Sequence, residues 1–132
     1  MSEKIGHQKM KVWQNIDALD MLVQDILKAI PKNEFIMRSQ IDKASDSVGA
    51  NFVEGYYSGS TAEYLRFLRY GKRSLGELHE RIRRLVRKNI LTSYKYNTFN
   101  TSAIKTMYMF DRLIYALEYK LEIKKDSKID KK

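Results

Sequence analysis

Four stretches of the chain repeat apolar residues at alternating steps of four and three. In the first, Val12, Ile16, Leu19, Val23, Ile26 and Ile30 make such a series, widened into a stripe by Trp13, Leu22 and Leu27. That spacing returns to one side of an α-helix every two turns, so the stretch reads as a helix with one core-facing side. The second stretch places Met37, Ile41, Ala44 and Val48 on one face, beside the small residues Ser45, Ser47, Gly49 and Ala50 that let a neighbouring helix approach closely. The third is the clearest, with Tyr64, Leu68, Gly71, Leu75, Leu78, Ile82 and Leu85 in register. The fourth carries Ala103, Met107, Phe110, Ile114, Leu117 and Leu121.

These series predict helices over about 8–29, 34–55, 61–89 and 94–124, followed by a frayed, solvated tail over 125–132 that has no apolar seam. Pro31 stops the first helix. Ser60 and Glu63 make the S-x-x-E capping box that opens the third, and Ser93 is the candidate cap of the fourth. No stretch alternates with period two, and no repeat or linker divides the chain. The prediction is a single all-α domain, an antiparallel up-down-up-down four-helix bundle that buries four stripes together.

The segment GYYSGS between the second and third helices reads as a corner. Gly55 suits the left-handed position just past a helix end, and Gly59 with Ser60 turns the chain into the next helix. One turn earlier, Asn51 continues the Val48 seam and should face inward, its amide bonded to the free backbone groups of adjoining helix ends.

Composition changes this picture mainly through charge. The 132 residues carry a net charge of +9, with 43% hydrophobic and 31% charged residues, a globular balance that favours a polyanionic partner. There is no cysteine, which excludes a disulfide scaffold and thiolate chemistry and fits a reducing compartment. The N-terminal MSEKIGHQKMKVW has no apolar run of the signal-peptide kind, and no eighteen apolar residues are consecutive, so the expectation is a cytoplasmic chain without a membrane role.

Candidate chemistry is sparse. His7 and His79 are the only histidines, and neither has a glutamate three residues before it, so the Glu-x-x-His ligands of a di-iron bundle are missing. No phosphate-binding G-x-x-x-x-G-K-[ST] occurs. Arg73 and His79, separated by the five residues SLGEL, are similar to the arginine–histidine pair of HEPN ribonucleases, but on one unbroken helix they point to different faces. The bland reading of His79, between Glu77 and Glu80, is a surface residue. The expectation is no catalytic residue, no metal and no cofactor.

The third helix is instead dense in cations. Arg66, Arg69, Arg73, Arg84, Arg87 and Lys88 exceed what the i,i+4 pairs Glu77–Arg81 and Glu80–Arg84 neutralise. Arginine's planar fork suits phosphate oxygens, so these six are the candidate nucleic-acid contacts, with Tyr56 and Tyr57 as candidate stacking residues and Tyr70 as a further ring on the flank. The competing reading is a solvated charged face.

The combination SQIDKASDSVGANFVEG followed by SGSTAEYLRFLRYGKRSLGEL resembles the four-helix-bundle proteins encoded in intervening sequences of bacterial 23S rRNA genes. These are similar to the accessory variability protein of diversity-generating retroelements. Pro31, Ser39, Gln40, Ile41, Asn51, Glu54, Gly55, Ser60, Glu63, Arg66, Phe67, Leu68, Ser74, Leu75 and Glu77 carry the resemblance, while Val53 stands where the family usually has alanine. It implies a homopentamer with a basic surface, binding rather than catalysis, and structural roles for Asn51, Glu54, Gly55, Ser60 and Glu63. The functional expectation is a non-enzymatic oligomer that binds RNA or DNA. The alternatives are an interaction scaffold for an acidic partner or a reverse transcriptase, and a HEPN-like ribonuclease.

Overall fold

The computed structural model describes residues 3–130, with side chains through Ser127. A 3-10 turn at Gly6–Lys9 leads into four helices: α1, Lys11–Ala29; α2, Phe35–Tyr56; α3, Thr61–Arg87; and α4, Ser93–Asp130. No strand occurs among the described residues. Each helix packs on the next, and α4 packs back on α1, which closes an up-down-up-down bundle. The opposed directions of α1 and α4 show in their contacts: Asn15 Nδ2 reaches Met109 Sδ at 2.9 Å near one end, and Lys95 reaches Asp25 at 3.8 Å near the other.

The predicted seams are the core. Leu19, Val23, Ile41, Val48, Leu68, Leu75, Leu78, Ile82 and Phe110 are buried, joined by Phe52 and Phe99. Small residues set how closely the helices meet. A side chain at Gly55 would meet the Phe67 and Tyr64 side chains at 3.0 Å, and one at Gly71 would meet the Phe110 ring at 3.0 Å. Between α2 and α3, the hydroxyls of Ser47 and Ser74 bond at 2.7 Å.

The helix ends depart from the sequence reading in several places. α1 begins at Lys11 rather than near residue 8, because the preceding residues take the tighter 3-10 turn. Gly55 is not the left-handed residue after α2. It lies inside the helix and is glycine because Tyr64 and Phe67 leave no room for a Cβ. Gly59, with φ 77°, is the left-handed residue of this corner.

Only half of the predicted capping box forms. Ser60 Oγ accepts from the Glu63 N–H at 3.3 Å, while the Glu63 carboxylate turns outward to Arg66 at 2.8 Å. Asn51 does not reach another helix end; its Nδ2 donates to Ser47 O of its own helix at 2.8 Å. At the far end, Asn89 takes φ 60° and lets the Ile90 N–H fold back on Leu85 O at 2.9 Å, which ends α3 at Arg87. Thr92, not Ser93, caps α4, its Oγ1 accepting from the Lys95 N–H at 3.2 Å. The predicted tail is helical as far as Asp130, with Glu122–Ser127 exposed; residues 131 and 132 lie outside the described residues.

Candidate nucleic-acid interface

Because core positions on α3 recur every three or four residues, the positions between them also share a side. Arg66, Arg69, Arg73, Arg84 and Arg87 all face solvent, with Lys88 at the helix end. Arg66 and Arg87 are about 32 Å apart along the axis at 1.5 Å per residue. The row is not uniform. Glu77 and Glu80 interrupt it, leaving one cationic patch at the α2–α3 corner and another at the α3 C-terminus.

In the corner patch the cations are largely engaged. Arg66 bonds Glu63 at 2.8 Å, Arg69 meets Glu118 of α4 at 3.5 Å, and neighbouring Lys72 pairs with Asp111 of α4 at 2.6 Å. The hydrogen bond that Arg66 donates to the Glu63 carboxylate holds its guanidinium above its ordinary pKa. Tyr70 sits between two arginines, with the Arg66 and Arg73 guanidinium carbons each 5.7 Å from its ring centre. Exposed pairs of this kind contribute little to stability, so a phosphate can replace the carboxylate partner at small cost.

The C-terminal patch is freer. Glu80 pairs with Arg83 at 2.7 Å, not with Arg84 as the i,i+4 spacing suggested, and its hydrogen bond to Arg83 lowers the carboxyl pKa and raises that of the guanidinium. Arg84 is thereby released. Among the described residues, Arg73, Arg84, Arg87 and Lys88 have no ion-pair partner. Arg81 is pinned between Glu77 at 3.0 Å and Gln40 of α2 at 2.9 Å. Beside it, a cleft of about 250 Å³ opens between the start of α2 and the end of α3, with Ile36 and Met37 as its apolar wall, buried Leu85 beneath, and Arg84 and Lys88 opposite. The sequence reading missed this cleft. Its one signal was Ile36, an isoleucine off the α2 seam and 64% exposed.

The tyrosines are differently placed. Tyr56 is half-buried, nearly parallel to Phe52 at 6.2 Å and edge-on to Tyr57 at 4.8 Å. Tyr57 remains exposed, but its hydroxyl is held by the 3-10 turn, 3.1 Å from His7 Nδ1. Both rings therefore belong to a cluster that closes one end of the bundle. Glu54 is exposed on the neighbouring turn of α2.

Tyr64 lies in the same cluster, and its hydroxyl is buried without a partner. Burial, then the nearness of Tyr56, pushes its pKa from 10.0 to about 12. The raised value disfavours ionisation in the folded state. Its stability contribution is thus fully present below pH 10 and is lost as pH rises through about 12. In an ultraviolet titration one tyrosine is expected to ionise after the rest, and Tyr64→Phe should remove that late step with no loss of stability, because no hydrogen bond is broken. An unchanged titration curve in Tyr64→Phe would contradict the assignment.

His79 is not a surface residue. Its Nε2 lies 2.7 Å from Asn100 Oδ1 and 3.3 Å from Tyr96 Oη, and its ring stacks near Phe99. It faces α4, whereas Arg73 lies over Tyr70 on the outward side. The structure does not bring this pair together. No cluster of three or more potential metal ligands occurs among the described residues, and no described helix is long and apolar enough to cross a membrane.

Comparison with known proteins adds two findings. The family model described as 23S rRNA-intervening sequence protein matches residues 8–112. The fold matches the crystal structure of a protein of unknown function from the S23 ribosomal protein family of Bacteroides thetaiotaomicron VPI-5482, with a TM-score of 0.73 and 21% identity over 78% of this chain and 97% of that one. At that identity the likeness establishes the fold alone. No curated protein matches the chain significantly.

Proposed function

The chain belongs to the 23S rRNA-intervening sequence protein family, and from that premise we propose that it is a non-enzymatic, self-associating bundle that binds the backbone of RNA or DNA through α3. One observation carries this reading: Arg73, Arg84, Arg87 and Lys88 are exposed on one helix without ion-pair partners among the described residues. Phosphate contacts of this sort position a protein without reading bases, so the binding has little sequence preference. Cations repeated around an oligomer add avidity.

Self-association draws on the outer side of α4. Ile104, Tyr108, Tyr115, Tyr119 and Ile123 are each more than half exposed on the side opposite Phe110 and Ile114, so α4 carries a second apolar stripe. Such a stripe is costly to leave in water and suits contact with another copy. The family resemblance suggests five copies. A cytoplasmic location, and association with a reverse transcriptase, belong to the same proposal.

The test is a fluorescence titration of the protein with labelled RNA and DNA at low salt, combined with light scattering. Binding of both, with the RNA left intact and a mass several times 15.6 kDa, is the expected result. Failure to bind either would overturn the nucleic-acid reading and favour an acidic protein partner. RNA cleavage that disappears in His79→Ala would replace it with the ribonuclease reading. A mass of 15.6 kDa at micromolar concentration would sink self-association.

A further inference from the structure

We infer that the cleft between the start of α2 and the end of α3 receives an unpaired base, so that the nucleic acid held by this protein is single-stranded. The inference rests on the proposed backbone binding by α3 and goes beyond it, because phosphate contacts alone do not distinguish a single strand from a duplex.

The cleft joins two chemistries that a nucleotide also joins. Ile36 and the half-buried Met37 present apolar surface on the α2 side, with buried Leu85 beneath, while Arg84 and Lys88 line the α3 side one helical turn apart. Those two cations lack an ion-pair partner among the described residues, and the single carboxylate on the lining is Glu34. Arg81 does not compete for the ligand, since Glu77 and Gln40 already hold it; it fixes the wall between the two helices. The volume, about 250 Å³, lies below that of pockets for drug-sized molecules and suits one ring system.

Nothing within this chain covers Ile36. It is 64% exposed, and its neighbour Phe35 is 69% exposed, at a helix start where polar residues would serve equally well. An exposed aliphatic side chain beside cations suits an unstacked base, whose apolar face is removed from water when it covers that side chain. In a duplex those faces are stacked on neighbouring bases and cannot enter. An acidic peptide is a poorer occupant, because its carboxylates can pair with Arg84, Arg87 and Lys88 but bring no planar ring to set against Ile36.

The experiment compares a short mixed-sequence RNA, the DNA of the same sequence and the RNA duplex, at one salt concentration, against the full chain and Ile36→Ser. Both single strands are expected to bind about fivefold tighter than the duplex, the order expected from burying about 40 Å² of apolar surface between a base and Ile36. Ile36→Ser should abolish that preference while leaving duplex binding and helix content unchanged, because Ile36 is exposed. In a methyl NMR spectrum, the Ile36 and Met37 methyls should move upfield under the ring current of either single strand and stay still with the duplex. Equal affinity for strand and duplex would overturn the inference and leave backbone binding standing. So would methyls that respond to polyglutamate but not to the strands, which would give the cleft to an acidic partner. Binding of no nucleic acid at all would remove both.

Discussion

Replacing Arg73, Arg84, Arg87 and Lys88 together by glutamine is expected to flatten the salt dependence of nucleic-acid binding. Each phosphate contact contributes roughly 0.7 to 0.9 log units of affinity per log unit of salt. Four contacts therefore correspond to a slope of about 3, or roughly a thousandfold loss of affinity over a tenfold rise in salt. The quadruple variant should lose most of that slope and bind weakly even at low salt. Its helix content should stay, because glutamine is a good helix former at exposed positions.

Arg66→Gln with Arg69→Gln is the informative contrast. Those two arginines already face Glu63 and Glu118, so part of their charge is spent within the chain. Removing them should lower the slope by less than removing Arg84 and Arg87 does. The measurement is a series of anisotropy titrations across salt concentrations. A slope unchanged in the quadruple variant would move the phosphate contacts elsewhere, with the lysines of the α4 end as the next place to look.

The same contrast shows what the sequence made legible. The row of cations on α3 follows from helical spacing, and so do the buried seams, because both depend only on residues within one helix. Which cations are already paired depends on Glu118 and Asp111, which α4 delivers from more than thirty residues away. No periodicity within α3 reports that. Glu80 illustrates a local limit: Arg83 and Arg84 both lie within reach, and side-chain direction rather than spacing selected Arg83.

Glycine was ambiguous for a similar reason. Gly55 and Gly59 both sit near a corner, and a sequence presents them alike. Gly59 is needed for its φ of 77°, whereas Gly55 is needed because Tyr64 and Phe67 crowd it. The first requirement belongs to the backbone and the second to a neighbouring helix. The end of α4 was misjudged because a seam is a signal of burial. Past Leu121 the helix has little to pack against, yet Lys124 through Asp126 remain helical. The cleft at Ile36 was hidden for the opposite reason: its two walls come from helix ends some fifty residues apart in the chain.

Phe110→Ala is expected to be the most damaging single substitution in the core. Phe110 is wholly buried on α4, and its ring occupies space that exists because residue 71 on α3 lacks a side chain. Truncation leaves a cavity with no neighbouring side chain at Gly71 to relax into it, at a cost of about 3–5 kcal/mol. Against a total stability of roughly 5–15 kcal/mol, that is a large share. The packing account also makes a sharper claim about the pair. In the natural chain, Gly71→Ala forces its Cβ to within 3.0 Å of the Phe110 ring, so the methyl group should cost stability through overpacking. In the Phe110→Ala background that ring is gone, and alanine at position 71 gains up to about 1 kcal/mol over glycine through helix propensity alone. The same substitution should therefore change sign between the two backgrounds. Urea denaturation of the four members of this cycle measures the coupling. Additive effects would mean that Gly71 is not what makes room for Phe110, and that the α3–α4 approach is set elsewhere along the seam.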